Sequence, residues 1–148
     1  MKFTFTIETE NYETAKKIMS VLDEEKKMEK PDVYDISPYA RWFDRDSNAY
    51  DPSGSEYNLY FLNCQQNYAT EKLRHRGYLF LNEVYDMLGI PRTKAGQVVG
   101  WVYDERNPVG DNFVNFGIYE DYNAAFINGY ADKVLLDFNV DGNILDAL

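Results

Sequence analysis

The amino-terminal part of the chain opens with two regular patterns of apolar and polar positions. Residues 2–8 alternate between the two classes with a period of two, which predicts a half-buried β-strand. After Asn11, a residue suited to capping a helix, apolar side chains recur with helical spacing. The helix predicted there would bury one stripe, formed by Ala15, Ile18, Met19 and Leu22.

The less regular stretch that follows predicts a short helix and a turn. Ser37 before Pro38 is typical of a helix start, because proline is tolerated at the first helical position. The aromatic side chains on this helix would be Tyr39, Trp42 and Phe43. Residues 51–54, Asp-Pro-Ser-Gly, have the composition of a turn.

Two longer helices are predicted next. The first begins at Ser55, and its apolar stripe recurs at steps of four, three and four residues: Tyr57, Phe61, Cys64 and Tyr68. A strand over residues 59–62 is the alternative interpretation. The second helix spans residues 78–88 and ends at Gly89, since glycine readily adopts the left-handed conformation that terminates a helix.

The carboxyl-terminal part has the composition of β-strands. Residues 97–103 and 112–119 are rich in β-branched and aromatic side chains, and the turn formers between them predict a hairpin with a long loop. Asp121 is predicted to cap a short helix, and residues 133–140 to form a final strand. The order of elements predicts one α+β domain over residues 1–148, with a small, mostly antiparallel sheet and helices packed on one face.

Composition agrees with a folded domain and narrows its expected location. With 148 residues, 45% hydrophobic and 27% charged, the chain is large enough to bury one core without cross-links. Cys64 is its single cysteine, so no internal disulfide can form and a reducing, cytoplasmic compartment is expected. The amino terminus lacks the pattern of a signal peptide, and no apolar run is long enough to span a membrane. We therefore expect no membrane partner.

The distribution of charge limits the kinds of partner. The formal net charge of −10 argues against direct binding to DNA or RNA, since that requires clustered lysine and arginine. Residues 107–148 contain one basic residue, Lys133, against seven acids. The negative field is therefore concentrated in the carboxyl-terminal third, where it either keeps the chain soluble or attracts a basic protein partner.

Two stretches of the chain resemble a known family. Residues 77–101, GYLFLNEVYDMLGIPRTKAGQVVGW, and residues 136–142, LDFNVDG, are similar to segments of a family of small uncharacterised proteins from phages and mobile elements of gut Firmicutes. The resemblance extends from about Tyr57 to the end of the chain. It implies a mobile-element origin and a cytoplasmic or virion-associated location. It implies no activity and assigns no catalytic residues.

One short pattern has the spacing of a metal site. Asp137, Asn139 and Asp141, followed by Gly142, match the first half of a calcium-binding loop. The bidentate glutamate required at the twelfth position is replaced by Leu148, so we expect no calcium binding tighter than about millimolar. The favoured interpretation is a strand that ends in an Asp-Gly turn, with no cofactor.

The remaining reactive side chains have structural explanations. The chain has a single histidine, His75, and a single thiol, which argues against a nucleophilic triad. Cys64 is expected in the core, and His75 at a helix end, where its charge suits the helix dipole. The basic residues nearby are expected to pair with the protein's own acids: Lys72, Arg74, Arg76, Arg92 and Lys94.

The function predicted from these observations is protein binding without catalysis. Tyrosines beside acids recur along the chain, and tyrosine anchors protein interfaces at low entropic cost. The expected contact surface lies in the acidic third and comprises Glu120, Asp121, Tyr122 and Asp132. Three alternatives stay open: an anti-defence inhibitor that mimics nucleic-acid charge, a virion or assembly component, and a carboxylate-dependent hydrolase.

Overall fold

The computed structural model of the protein describes residues 35–148. The strand predicted over residues 2–8 and the helix predicted after Asn11 lie outside them. Within the described part, short antiparallel strands and three α-helices follow one another along the chain, so the predicted α+β fold class is confirmed. No helix of residues 35–148 is both long and apolar enough to cross a membrane.

The strands of the described part form two antiparallel groups. In the first, β1 (Arg41–Phe43) pairs with β4 (Val134–Leu136). In the second, β3 (Val99–Val102) is central, with β2 (Tyr78–Phe80) on one side and β5 (Gly142–Asn143) on the other. Every one of these pairings joins segments that are distant in the sequence, so local patterns alone do not specify them.

The longest element is helix α1, which covers Ser55–Arg76 and begins where it was predicted, so the alternative strand over residues 59–62 is wrong. Its first turn has no side-chain cap. The buried amide of Asn58 instead donates to the carbonyls of Asp51 at 2.8 Å and Gly54 at 2.7 Å. The helix therefore starts from a turn that its own side chain organises.

The predicted buried face of α1 is wrong. Cys64 and its stripe neighbours Tyr57 and Tyr68 are exposed. Phe61 alone of that stripe is partly buried, where its ring stacks on Phe43 with 6.0 Å between the centroids. Aliphatic side chains take the interior because a buried tyrosine hydroxyl needs a hydrogen-bond partner. The residues that α1 buries are Asn58, Leu62, Ala69 and Leu73.

The helix predicted over residues 78–88 begins later than expected. Its first three residues form strand β2, because Leu79 lies opposite Trp101 in the sheet and both side chains are fully buried. Helix α2 then covers Leu81–Leu88. Gly89 ends it in the left-handed conformation, with φ at 70°, as predicted.

The hairpin predicted from residues 97–103 and 112–119 is wrong. β3 pairs with β2 and β5, and residues 112–119 form no strand. This segment is instead held by α1, whose Gln66 side chain accepts a hydrogen bond from the N–H of Phe116 at 2.8 Å. Its β-forming side chains are nevertheless in the core: Val114, Phe116 and Ile118.

Three smaller predictions are also corrected. The short helix expected from Ser37 is a turn followed by β1, because that segment finds its partner far along the chain in β4. Helix α3 forms where it was predicted, over Ala124–Ile127, but Asp121 begins a 3₁₀ turn rather than capping the helix. The final strand, predicted over residues 133–140, is limited to β4, and β5 follows separately.

A single cluster of buried side chains joins these elements. Trp101 is fully buried in β3. Phe138 packs edge-on against Tyr85 and Phe116, with ring centroids 5.7 and 5.5 Å apart. Because this core contacts the aliphatic side of α1, the opposite side of the helix is left on the surface.

Candidate functional site

The outer side of α1 carries a row of aromatic side chains. Tyr57, Tyr60 and Tyr68 are 56%, 68% and 58% exposed, and Cys64 between them is also exposed. These four residues, the tyrosine face, are spaced by three, four and four positions and therefore lie along one side of the helix. A helix side that faces water is usually charged or polar, so this row of exposed tyrosines is the candidate site on α1.

Two members of the tyrosine face interact with each other. Tyr60 and Cys64 lie one helical turn apart, and the hydrogen bond and electrostatic interaction with the thiol raise the pKa of the Tyr60 hydroxyl above its usual value. The hydroxyl therefore stays protonated at neutral pH. The face thus presents aromatic rings together with neutral polar groups.

A further aromatic side chain adjoins this face. Tyr119 is 61% exposed, and its hydroxyl accepts a hydrogen bond from the Asn63 side chain of α1 at 2.8 Å. Asn63 also donates to the carbonyl of Leu59 at 3.1 Å, which fixes its amide. This contact brings Glu120 and Asp121, which follow Tyr119 in the sequence, to the side of α1.

Glu120 and Asp121 are exposed and belong to a firmly held turn. The turn is anchored by the buried side chain of Asn123, which donates to the carbonyls of Gly117 at 3.1 Å and Leu135 at 2.9 Å. The same side chain accepts a hydrogen bond from the N–H of Leu135 at 2.9 Å. Because Leu135 belongs to β4, the two acids are fixed relative to the sheet.

The four residues predicted as a contact surface differ in their surroundings. Glu120 and Asp121 are adjacent and exposed, whereas the carboxylate of Asp132 accepts a hydrogen bond from Arg45 Nε at 2.9 Å. Tyr122 is partly buried. The structure therefore places Glu120 and Asp121 beside Tyr119 and the tyrosine face. The sequence pattern did not predict that these tyrosines are exposed together.

The residues of the calcium-like pattern each have a different protein partner. The carboxylate of Asp137 accepts hydrogen bonds from the N–H and the hydroxyl of Ser37, at 3.1 and 2.6 Å. The carboxylate of Asp141 accepts one from the N–H of Val102 at 2.9 Å, and the oxygen of Asn139 accepts two. Among residues 35–148, no three His, Cys, Asp or Glu side chains are grouped to hold a metal ion. Weak or absent calcium binding stays a prediction.

Asp141 is the carboxylate of this pattern with a perturbed acidity. Burial raises the pKa of Asp141, and the nearby charge of Asp111 adds to the rise, while the hydrogen bond from Val102 opposes it. The backbone at Gly110 lies directly against the Asp141 carboxylate, so a side chain at that position would collide with it. Contact with the Gly110 backbone and the hydrogen bond from Val102 therefore explain the presence of Asp141 by its role in the fold.

The basic residues at the end of α1 pair with acids, as predicted. Arg76 and Lys72 both contact the carboxylate of Glu83. Burial opposes ionisation of Glu83, but hydrogen bonds from Arg76 and a backbone N–H outweigh it and lower the pKa of Glu83. Arg92 binds Asp86 at 2.6 Å. Much of the positive charge in this region is therefore neutralised by neighbouring side chains.

Comparison with known proteins identifies the family of the chain. No curated protein and no solved structure matches it. Residues 4–148 match a family described as a family of unknown function, DUF6353, and this range includes both stretches quoted from the sequence, 77–101 and 136–142. Because the match covers nearly the whole chain, the protein belongs to the DUF6353 family.

Proposed function

We propose that this chain is a non-enzymatic interaction protein that binds a basic protein partner. The interaction surface comprises the tyrosine face together with Tyr119, Glu120 and Asp121. The observation that supports the proposal is the row of three tyrosines, each more than half exposed, along one side of α1. Exposed aromatic surface bordered by polar groups is typical of protein contact sites, where tyrosine supplies contact area at low entropic cost.

The chemistry of this surface favours a partner rich in arginine and lysine. Tyrosine rings attract cations across their faces, and guanidinium groups are the most frequent partners. Glu120 and Asp121 add negative charge beside the rings, in a chain with a net charge of −10. Lys133, the one basic residue of residues 107–148, has its ammonium 4.4 Å from the centroid of the Trp42 ring. A basic partner would therefore meet little repulsion from this third of the chain.

The proposal includes a phage or mobile-element origin and a location in the host cytoplasm or on the virion. The resemblance of residues 77–101 and 136–142 supports this origin. Two alternatives use the same surface: a mimic of nucleic-acid charge would bind a nucleic-acid-handling host protein, and a virion component would bind another structural protein. They differ in whether nucleic acid competes for the partner.

The first experiment titrates the full-length protein with a defined probe, an arginine-rich peptide, and with a matched peptide in which glutamine replaces arginine. We expect saturable binding of the arginine peptide alone. The triple variant Tyr57→Ser, Tyr60→Ser, Tyr68→Ser should weaken binding at least tenfold, which corresponds to about 1.4 kcal/mol. The pair Glu120→Lys, Asp121→Lys should do the same and should flatten the salt dependence, since added salt shortens the Debye length to about 8 Å at physiological ionic strength.

Matched variants separate this surface from general effects of exposure and charge. Tyr130→Ser removes a tyrosine that is 82% exposed and lies outside α1, and Glu105→Lys reverses an exposed acid on another loop. Both should bind the arginine peptide as the wild type does. Full binding by the tyrosine triple variant, or equal loss in both controls, would show that the partner binds elsewhere.

Capture from host extract with the same variants then distinguishes the alternatives. A partner that is lost in the tyrosine and charge variants, and that duplex DNA displaces, would favour the charge mimic. A partner lost in the same variants but unaffected by DNA would favour a structural or regulatory contact.

A further inference from the structure

A cleft lies between β1 and the carboxyl-terminal end of α2. Its volume is about 540 Å³, which is within the range of small-molecule sites. One wall is formed by β1 and the loop that follows it, and the other by the last turn of α2 and the residues after it. The side chains whose chemistry defines the cleft are Arg41, Trp42, Asp44, Asp46, Asp86 and Ile90.

The walls of the cleft are fixed by close packing. A side-chain carbon at Gly89 would lie 2.9 Å from the backbone nitrogen of Ala49, so the end of α2 touches the loop directly. The loop is itself a tight turn, in which the N–H of Asp44 donates to the Ser47 hydroxyl at 3.1 Å. The N–H of Asp46 donates to the Asp44 carboxylate at 3.0 Å. The shape of the cleft is therefore preformed.

Arg41 brings to the cleft a positive charge that no acid neutralises within residues 35–148. Its Nη1 donates to the carbonyls of Pro38 at 3.0 Å and Ala40 at 2.7 Å, which orients the guanidinium. In that range its Nε and Nη2 have no hydrogen-bond partner, and the guanidinium carbon lies 5.6 Å from the centroid of the Tyr85 ring. Arg45 and Arg92, in contrast, are each paired with an aspartate. A guanidinium with adjacent free donors fits a carboxylate in bidentate geometry.

Negative charge is placed on the same cleft. Asp44 and Asp46 have no cationic partner in the described part of the chain, whereas Asp86 is paired with Arg92. The carboxyl-terminal end of α2 lines the cleft and adds the partial negative charge of the helix dipole. A primary ammonium near Asp44 would therefore be stabilised.

We propose that the cleft binds a small zwitterion of the amino-acid class, a free α-amino acid or a dipeptide, with its carboxylate on Arg41 and its ammonium against Asp44 and Asp46. A simple anion would be repelled by the aspartates, and a simple amine would leave Arg41 without a counter-ion. Trp42 and the largely buried Ile90 add apolar atoms to the lining of the cleft, and the Trp42 ring also holds the Lys133 ammonium, 4.4 Å from its centroid. None of these residues belongs to the interaction surface, so this site goes beyond the proposed function.

The test uses the full-length protein and follows the indole N–H resonance of Trp42 by NMR. Trp42 lines the cleft, while the other tryptophan, Trp101, is fully buried in β3. The probes are the standard amino acids and a set of dipeptides, and each one that binds is compared with its carboxyl-amide and N-acetyl forms, which each lack one charge. We expect saturable shifts with at least one zwitterion and at least tenfold weaker binding of its blocked forms. No shift with any zwitterion, or equal binding of the blocked forms, overturns the proposal.

Substitutions test the assignment of the two charges. Arg41→Gln should weaken binding of the zwitterion at least tenfold, and Arg41→Lys should weaken it by a smaller factor. Asp44→Asn should also weaken binding of the zwitterion, and it should not increase the affinity for the amide-blocked ligand. Arg106→Gln, on an exposed loop outside the cleft, should leave the affinity unchanged. Melting curves establish that each variant is folded, and Arg41→Lys with Asp44→Asn decides the outcome if Arg41→Gln does not fold. Unchanged affinity in the cleft variants overturns the proposal.

Discussion

The indole N–H of Trp101 donates to the side-chain oxygen of Asn139 at 2.8 Å, and this bond joins β3 to the segment that leads into β5. The same oxygen accepts a hydrogen bond from the N–H of Asn115 at 2.7 Å. The amide nitrogen of Asn139 donates to Asp111 and to the carbonyl of Phe113, each at 3.0 Å. One side chain thereby holds the irregular segment around residues 111–115 against the sheet.

Asn139→Ala should destabilise the protein by about 3 kcal/mol, because it leaves the buried indole N–H of Trp101 and a backbone N–H without acceptors. Urea denaturation measures the change. The control is Asn128→Ala, at an exposed position after α3, which should change stability by less than about 0.5 kcal/mol. A loss at Asn139 as small as that of the control would show that the bond contributes little.

Truncating a side chain should destabilise the protein strongly on the buried side of α1 and only slightly on the exposed side. Leu62→Ala should cost about 2–5 kcal/mol, because Leu62 is fully buried, whereas Tyr60→Ala on the exposed side should change stability by less than about 0.5 kcal/mol. Thermal or urea unfolding of the two variants makes the comparison. Cys64 supplies an independent check, since an exposed thiol should react with a thiol reagent in the native state. Protection of Cys64 until the protein unfolds would contradict the assignment of the two sides.

Stability should depend on pH through Asp141. Burial and the charge of Asp111 raise its folded pKa above the unfolded value of about 3.9, so the folded state holds the proton more tightly. The stability that this group contributes is therefore present at low pH and is lost as the pH rises through the folded pKa. Asp141→Asn keeps an oxygen for the N–H of Val102 without the charge, and at about pH 7 it should be at least as stable as the wild type.

That advantage of Asp141→Asn should shrink as the pH falls through the raised folded pKa of Asp141, because the wild-type carboxyl then takes up its proton. Urea titrations over a series of pH values from neutral to acidic give the difference directly. Asp146→Asn, at an exposed position in the last turn of the chain, is the matched control and should show no such trend. The explanation would be contradicted if Asp141→Asn were less stable than the wild type at neutral pH. It would also be contradicted if the difference in free energy of unfolding between the two did not change with pH.

The glycines that end α1 and α2 allow the cost of backbone strain at positive φ to be compared with the cost of a steric clash. Gly77 and Gly89 both have positive φ, at 92° and 70°, but a side-chain carbon at Gly77 would meet nothing within 4 Å while one at Gly89 would reach Ala49 at 2.9 Å. Gly77→Ala should cost about 1 kcal/mol, the price of the left-handed conformation. Gly89→Ala should cost more, by about 1–2 kcal/mol, because the loop must also move. Equal losses would show that the loop adjusts freely.

Features set by neighbouring residues were predictable from the sequence. The start of α1 follows from the Asp-Pro-Ser-Gly turn, the end of α2 from Gly89, and the burial of Trp101 from its run of β-formers. Pairings between distant segments were not predictable. Residues 112–119 have strand composition, yet the N–H of Phe116 donates to the Gln66 side chain of α1. Strand β3 instead pairs with β2, which precedes it in the sequence, and with β5, which follows it.

Periodicity predicts the wrong buried side of α1 when tyrosine is treated as an apolar residue. Two stripes compete on α1, and the one containing Leu62 and Leu73 is aliphatic, which was the signal for the buried side. The acids Glu120 and Asp121 were identified from charge alone. Their position beside α1 depends on the contact of Tyr119 with Asn63, which no local pattern indicates.

The side chain of Asn123 has a consequence for the edge of the β1–β4 sheet. It both donates to and accepts from the backbone of Leu135, at 2.9 Å each, as the peptide group of a neighbouring strand would. Unpaired strand edges are templates on which another chain can add a strand and begin aggregation. Here an amide side chain occupies the position of that added strand at Leu135, so an incoming chain would have to displace Asn123 before it could pair there.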